Sequence, residues 1–435
     1  MFAAGPPMPG SISRESLQYC GRHPFRGLGC YFMRVLLVHN RYRTSAPSGE
    51  DDAVGNEQRM LESRGIEVIR FDRCNDDIHD SSLTAKAAAA VNTIWSRRSR
   101  AEILQVIREV QPDIAHVHNT FATLSPSIYG AFVAERVPVV QTLHNFRLFC
   151  PGAMLLRNGR PCEDCMDHSL LRSVRHRCYR NSLGATSTLA TMLALHRTLG
   201  TFSKGVDRYI ALTRFARTKA VKGGIAEPTI TVKPNFVPNP PPVGEGDGGY
   251  VLFVGRLLEG KGADTLLAAW RRLTDVKLKI IGDGALRPRL EAQARRDGLN
   301  VEFLGRQPRA SVLQHMSGAR VLIVPSDWYE GFPMVIAESF ACGTPVLASR
   351  IGSLDELVQE GVTGRKFNPG DAGGLTAALR MMLFEESTLS DMRRNSRAYF
   401  DAHLTEDMNY SQLLSVYSGV IAGRTRGIDA LHRAS

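Results

Sequence analysis

From Arg34 to Ala348 short apolar runs alternate with stretches of helical period, and the alternation halts once and then restarts. Arg34 to Val38, Ile66 to Phe71, Ile114 to Val117, Val137 to Leu143, Asp207 to Leu212 and Ile230 to Val232 read as strands, with helices expected near Glu50 to Arg64, Ala101 to Val110 and Ser125 to Glu135. Alternation of this kind predicts a parallel sheet covered by helices on both faces. The break is the Pro- and Gly-rich run from Pro238 to Gly249, a composition typical of a linker. Beyond it Tyr250 to Val254, Lys277 to Ile281, Val301 to Leu304, Val321 to Val324 and Val346 to Ala348 repeat the pattern. The expected fold class is therefore α/β, with two doubly wound, Rossmann-like domains facing a cleft.

The expected organisation is a disordered N-terminal extension over 1–32, a first domain over 33–237, a linker over 238–249 and a second domain over 250–408. A Cys-rich insert at 150–178 interrupts the first domain, and Asn181 to Leu195, free of charge, reads as a buried or interfacial helix. In doubly wound sheets ligands gather at the carboxyl ends of strands, which directs attention to the strand-to-loop junctions.

The richest junction runs from Tyr329 to Ser349 and holds two carboxylates, Glu330 and Glu338. Pro333 suits a first helical position and Gly343-Thr344-Pro345 a stop, so Glu330 is expected just outside a helix start and Glu338 about two turns inside. Free N–H groups at a helix start favour a phosphate. A second junction, Gly255-Arg256-Leu257-Leu258-Glu259-Gly260-Lys261-Gly262, sets two cations on one loop that enters a helix, a good cradle for a diphosphate. Gly282-Asp283-Gly284 and Gly305-Arg306 are further turns at strand ends. The first of these lacks the third Gly of a dinucleotide fingerprint, which argues against an oxidoreductase. In the first half, His39-Asn40, His116-Val117-His118-Asn119 and His144-Asn145 end strands that face the expected cleft.

The net charge is +11, and residues 85–235 hold 21 Lys and Arg against 9 Asp and Glu, so they carry the whole excess. Such a field favours an anionic partner: a membrane surface, a pyrophosphate-linked acceptor or nucleic acid. No nucleic-acid recognition motif accompanies it, and nucleic acid is not expected as the partner. With no apolar run near 18 residues no transmembrane span is expected, and residues 1–31 lack the apolar core of a signal peptide. The eight cysteines read as reduced thiols of a cytoplasmic protein. Cys150, Cys162, Cys165 and Cys178 contain one Cys-x2-Cys pair and form a candidate structural zinc set, with free thiols as the alternative.

The junctions Gly255-Arg256 with Lys261, Gly282-Asp283-Gly284, Leu304-Gly305, Pro325-Ser326 and Glu330-x7-Glu338 resemble, in order and spacing, those of family 4 (group 1) glycosyltransferases. The resemblance covers roughly Met33 to Gly423. It implies the GT-B fold, a nucleotide-diphosphate sugar as donor, retention of anomeric configuration, and no cofactor requirement for catalysis. It also implies roles: Arg256 and Lys261 on the diphosphate, Glu338 on the ribose, and Glu330 with the backbone of Gly331 and Phe332 on the transferred sugar. Gly282 lies at the donor site, Arg306 near the nucleobase and His144 against the sugar, with His116 and His118 structural. Ser48-Gly49 stands where the family has Gly-Gly; Gly49 keeps its place near the donor phosphates, whereas Ser48 departs from the pattern. The last helix, 409–423, is expected to return to the first domain. The activity implied is a hexosyltransferase acting on a polysaccharide or lipid-linked acceptor in cell-surface polysaccharide synthesis, at the inner face of a membrane. A soluble acceptor, as in sucrose synthase-like enzymes, is the alternative, and a basic nucleic-acid-binding protein the more distant one.

Overall fold

The computed structural model describes residues 33–44, 48–78, 82–384 and 386–434; the N-terminal extension expected over 1–32 lies outside the described residues. The apolar runs pair into two parallel six-stranded sheets among those residues. The first contains β1 (Arg34–Arg41), β2 (Glu67–Cys74), β3 (Ile114–Asn119), β4 (Val139–Leu143), β7 (Arg208–Ala211) and β8 (Ile230–Val232), in the order β2-β1-β3-β4-β7-β8. The second contains β9 (Tyr250–Val254), β10 (Lys277–Ile281), β11 (Val301–Gly305), β12 (Val321–Val324), β13 (Val346–Ser349) and β14 (Gly364–Phe367), in the order β11-β10-β9-β12-β13-β14. A short hairpin of β5 (Leu156–Arg157) and β6 (Arg160–Pro161) lies in the Cys-rich insert.

Strand order reverses between β1 and β3 in the first sheet and between β9 and β12 in the second. Helices leave to opposite faces at such a point, which opens a crevice beyond the strand ends. His39-Asn40 and His118-Asn119 border the first crevice, and the loops carrying Arg256-Lys261 and Ser326-Glu330 border the second. Each sheet is buried on both faces, as its nearly unbroken apolar strands require: Val38, Val117, Phe132 and Val139 pack on one side of the first and Val35, Met60, Ile114 and Val140 on the other. Val251, Ile323 and Leu267 oppose Leu252, Leu322 and Phe340 in the second.

Four helices bear on the candidate site and on the cover of the first sheet: α1 (Gly49–Ser63), α2 (Ala263–Trp270), α3 (Met334–Ala341) and α4 (Glu406–Ala434). Tyr410, Leu413, Tyr417 and Val420 of α4 bury themselves with Val35, Met60 and Val140, so the C-terminal helix covers the first sheet. The helix expected at Asn181 to Leu195 runs Leu183–Thr198, burying Leu189, Met192 and Leu193 and exposing Leu183 and Leu195. The helices Leu83–Ile94 and Gly352–Leu357 and the edge strand β14 were not anticipated by periodicity.

The two sheets' loops meet directly. Thr213 and Ser353 hydroxyls lie 3.0 Å apart, and the Glu356 carboxylate accepts from the backbone N–H groups of Arg214 (2.9 Å) and Phe215 (2.8 Å). It thereby satisfies free donors at the start of the helix Arg214–Lys222, a favourable place for negative charge. The Phe215 and Tyr329 rings pack 4.8 Å apart between centroids.

Candidate active site

Helix α3 starts at Met334, with Pro333 as its N-cap rather than its first helical residue, and no side chain caps it. Glu338 is thus the fifth helical residue, just over one turn inside the helix and not the two turns expected. The uncapped N–H groups point toward the crevice between β9 and β12, and α2, preceded by Gly262, is uncapped likewise.

Glu330 and Lys261, assigned to different parts of the ligand by resemblance, are brought together. Glu330 Oε1 accepts from Lys261 Nζ (2.6 Å), Ser326 Oγ (2.8 Å) and Trp328 Nε1 (2.9 Å). Burial pushes the Glu330 carboxyl up, but the ammonium and these donors outweigh it and hold the group below the usual carboxylate range. Lys261 also sits 5.3 Å from the centre of the Trp328 ring. Arg256 and Arg306 are exposed and form no ion pair among the described residues, which leaves both available to an anion. Gly282 has φ +141°, and a Cβ there would meet the Gly255 carbonyl oxygen at 1.9 Å; only glycine lets these two junctions close on each other.

Glu338 Oε1 accepts from Arg309 Nε at 3.3 Å. Burial, reinforced by Asp52 across the cleft, raises its carboxyl despite Arg309. Arg309 is a site neighbour that sequence reasoning missed; it precedes Glu338 by 29 residues, and nothing local links them.

From the first sheet, the backbone of His144 reaches the loop that carries Glu330. A Cβ on Gly331 would stand 2.5 Å from the His144 carbonyl oxygen, so this glycine is what allows the loop after β12 to touch the loop after β4. Phe332 is partly buried beside it, and the Gly331 carbonyl accepts from Ser353 Oγ at 3.0 Å. His144, Asn145 and Arg147 also line a recess at the ends of β3 and β4.

Ser48 turns out to be the N-cap of α1: its Oγ accepts from the Glu50 N–H (3.3 Å) and its N–H donates to the Asp51 carboxylate (3.2 Å). This capping box explains a serine in place of glycine, and the residue's extended backbone needs no glycine. A Cβ at Gly49 would meet nothing within 4 Å. The next residue was overlooked. Glu50 is buried, accepts from Tyr42 Oη (3.1 Å) and Asn145 Nδ2 (3.3 Å), and burial raises its carboxyl to about 7. Only the acidic start of a helix was visible in sequence, and that is ordinarily solvated.

Among the described residues no three of the Cys150, Cys162, Cys165 and Cys178 sulfurs lie within 4.8 Å of one another. Burial, then Cys150 and Cys178, raise the Cys165 thiol to about 11.

Comparison with known proteins agrees with this geometry. Residues 58–239 match the family model Glycosyltransferase Family 4, and residues 241–399 match Glycosyl transferases group 1. An uncharacterised glycosyltransferase of Methanocaldococcus jannaschii is 40% identical over 131 residues, 29% of this chain and 37% of its own. A glycogen synthase of Mycobacterium tuberculosis is 32% identical over 183 residues, 41% and 43% of the two chains. The chain thus spans less than half the length of these curated relatives. Among solved structures, sucrose-phosphate synthase from Thermosynechococcus elongatus superposes with a TM-score of 0.64 at 17% identity, over 90% of this chain and 100% of the other. Anabaena HepE in complex with UDP gives 0.62 at 19% identity, over 89% and 100%. Two parallel-sheet domains, junction loops meeting across a cleft, and family models that together span most of the length lead to one conclusion: the chain belongs to the group 1, family 4 glycosyltransferases, transferase enzymes of the GT-B fold.

Proposed function

We propose that this enzyme moves a sugar from a nucleotide-diphosphate sugar to a glycan or lipid-linked acceptor with retention of anomeric configuration, as a step in cell-surface polysaccharide synthesis. The observation that carries the reading is the meeting of Lys261, Glu330 and the uncapped start of α3 at the carboxyl ends of β9 and β12. Breaking the bond between the anomeric carbon and the diphosphate develops positive charge on the sugar and negative charge on the leaving phosphate. Arg256, Lys261 and the N–H groups of α2 and α3 stabilise the phosphate, preorganised donors being strongest where charge develops. Glu330, Gly331 and Phe332 hold the sugar, with His144 facing it from the first domain; Gly49 and Gly282 border the phosphates, Arg306 the base and Glu338 the ribose. The acceptor hydroxyl bonds to the anomeric carbon on the face the phosphate leaves, and its proton passes to a phosphate oxygen. Structures of Anabaena HepE with UDP and glucose support a donor of this class.

The first domain faces a membrane in this reading. Among the described residues no helix is long and apolar enough to cross one. Leu171 (73% exposed) and Leu183 (54%) instead stand out beside the exposed Arg172, Arg175, Arg177 and Arg180, a mixture suited to the inner, anionic leaflet. The Cys-rich insert stays in the reading as a zinc-binding element whose sulfurs the metal would draw together; about one zinc per purified chain supports it, and a metal-free, equally stable protein removes it.

The test is a thermal-shift screen of UDP, GDP and their sugars, followed by anomeric NMR of the product. A correct nucleotide at a hundred times its dissociation constant stabilises by about 2.7 kcal/mol. No stabilisation by any nucleotide defeats the donor assignment, and an inverted anomer defeats retention.

A further inference from the structure

The Cys-rich insert reaches toward the cleft through one acidic residue. Glu163 follows Cys162 and opens the short helix Asp164–Asp167, where its carbonyl accepts from the N–H groups of Met166 (2.8 Å) and Asp167 (3.1 Å). The Cys162 N–H donates to the Leu155 carbonyl at 2.7 Å, Arg157 Nη1 donates to Asp164 Oδ2 at 2.6 Å, and Met166 packs on the first domain's core. The backbone that carries Glu163 is therefore fixed by the insert itself. Its carboxylate turns to the helix Arg214–Lys222: Oε1 accepts from Lys219 Nζ at 2.5 Å and Oε2 from Lys222 Nζ at 2.6 Å. Burial pushes the Glu163 carboxyl up, but the two ammonium groups outweigh it and hold the group below the usual carboxylate range, so it is ionised at neutral pH. The Glu163 and Lys219 side chains are each only 15% exposed, and a pair so sheltered is screened far less than an exposed one.

Lys219 has a second set of neighbours. Its Nζ lies 5.1 Å from the centre of the Phe215 ring and 5.2 Å from that of the Tyr329 ring, within reach of a cation–π attraction that strengthens as water is removed. Phe215 belongs to the same helix as Lys219. Tyr329 belongs to the second domain, yet it packs on the core of the first, and it immediately precedes Glu330. The fit around these rings is close: a Cβ on Gly352 would meet Tyr329 Cδ1 at 3.1 Å and Phe215 Cε1 at 3.2 Å. The segment from Tyr329 to Gly331 thus touches the first domain at both ends, Lys219 and Phe215 at Tyr329 and the His144 backbone at Gly331. Glu330, between them, bonds within its own domain to Lys261, Ser326 and Trp328.

We propose that Glu163 and Lys219 are positioning residues for sugar transfer: Glu163 sets the Lys219 ammonium against the Tyr329 ring, and this clamp across the cleft holds the loop that carries Glu330. The inference rests on the function proposed above and gives the Cys-rich insert a part in it. Glu163 lies between Cys162 and Cys165, so whatever loosens that turn frees Lys219 and, through Tyr329, the Glu330 loop. The phosphate and ribose contacts assigned to the second domain do not pass through the clamp. Its loss therefore lowers kcat and leaves the affinity for a free nucleoside diphosphate as it was.

The test compares Glu163→Gln, Lys219→Met and Lys219→Arg in the full-length protein. Lys219→Met keeps an apolar stem and removes the charge, whereas Lys219→Arg keeps a cation that pairs with carboxylates and stacks on aromatic rings. In Glu163→Gln and Lys219→Met the kcat for sugar transfer is expected to fall about tenfold, with unchanged affinity for UDP or GDP; Lys219→Arg is expected to stay near wild type. A second readout is the indole ¹H–¹⁵N NMR signal of Trp328, assigned by its loss in Trp328→Phe. This N–H donates to Glu330 at 2.9 Å, so its shift reports the loop without turnover. It is expected to move in Glu163→Gln and Lys219→Met and to stay in place in Lys219→Arg. A folded Glu163→Gln protein with wild-type kcat or an unmoved indole signal overturns the proposal, as does a loss of nucleotide affinity as large as the loss of kcat. Should Glu163→Gln fail to fold, Lys219→Met decides by the same criteria. A wild-type protein that transfers no sugar refutes the function proposed above, and the indole signal then decides the clamp alone.

Discussion

Lys261 Nζ and Glu330 Oε1 stand 2.6 Å apart, one on the loop after β9 and the other on the loop after β12. The side chains are only 20% and 13% exposed, so each is the other's main compensation. Removing one therefore does two things, and they can be separated. Lys261→Ala leaves a carboxylate largely buried without its partner and is expected to cost about 3 kcal/mol of stability. Lys261→Met combined with Glu330→Gln removes both charges and is expected to recover most of that loss in urea unfolding, while nucleotide-sugar transfer stays near background. Recovery of transfer in the double variant would show that the pair is structural.

Glu338 has a weaker partner. Its contact with Arg309 is 3.3 Å long, and Arg309 is about half exposed, so the pair itself contributes little. Arg309→Ala is expected to change stability by under about 1 kcal/mol. With Glu338 on the ribose as proposed, Glu338→Gln weakens hydrogen bonds from ribose hydroxyls to a charged acceptor, and calorimetry is expected to show a loss of about 1.5–3 kcal/mol in nucleoside diphosphate binding. Equal affinity in that variant would move the ribose elsewhere.

These pairs mark where the sequence stopped being legible. The strands that build both switch points were readable because they are unbroken apolar runs such as Val321 to Val324, buried throughout. β14 reads Gly-Arg-Lys-Phe and was missed, since an edge strand need not be apolar. Helix Leu83–Ile94 is rich in alanine and has no clear apolar stripe. The strand-end loops could be placed in one crevice by fold logic, whereas Glu330 with Lys261 is a contact 69 residues apart and Glu338 with Arg309 one of 29. Nothing in the sequence marked Glu50 or Glu57 as buried. Glu50 is buried beside Tyr42 and Asn145, and Glu57 beside His116 and Lys233, tertiary facts that periodicity does not carry.

Glu50 supplies a pH dependence whose sign is fixed by its shift. Its folded carboxyl titrates near 7 against an ordinary 4.5, so between those values the folded state holds more proton than the unfolded one, and stability falls as pH rises. The full effect, about 3 kcal/mol, is lost by about pH 8. Urea midpoints of wild type against Glu50→Gln are expected to coincide more closely near pH 5 and to separate near pH 8, with the glutamine variant the more stable. A constant difference across that range would mean that Glu50 is ionised throughout.

Membrane contact is expected to depend on Leu171, Leu183 and the arginines around them. Replacing both leucines by serine should lower sedimentation with vesicles containing anionic lipid severalfold, and raised salt should lower it further. Binding that responds to neither change would assign the basic excess to another partner.

Gly331 ties the two domains together at the site. A methyl group there would stand 2.5 Å from the His144 carbonyl oxygen, far inside van der Waals contact, and the opposing atom is backbone that cannot swing aside. The contacts around it are interdomain: Ser353 Oγ bonds the Gly331 carbonyl and lies 3.0 Å from Thr213 Oγ1. Gly331→Ala is therefore expected to push the loop after β12 away from β4 rather than to unfold either sheet. Transfer should fall at least about tenfold, since a displacement near 1 Å at a reacting centre can cost a hundredfold. Nucleoside diphosphate affinity, which the proposed function assigns to Arg256, Lys261 and Glu338 within the second domain, should change little. Small-angle scattering should show a slightly larger radius for the variant, and a parallel loss of nucleotide affinity would mean that the glycine serves the second domain's own fold.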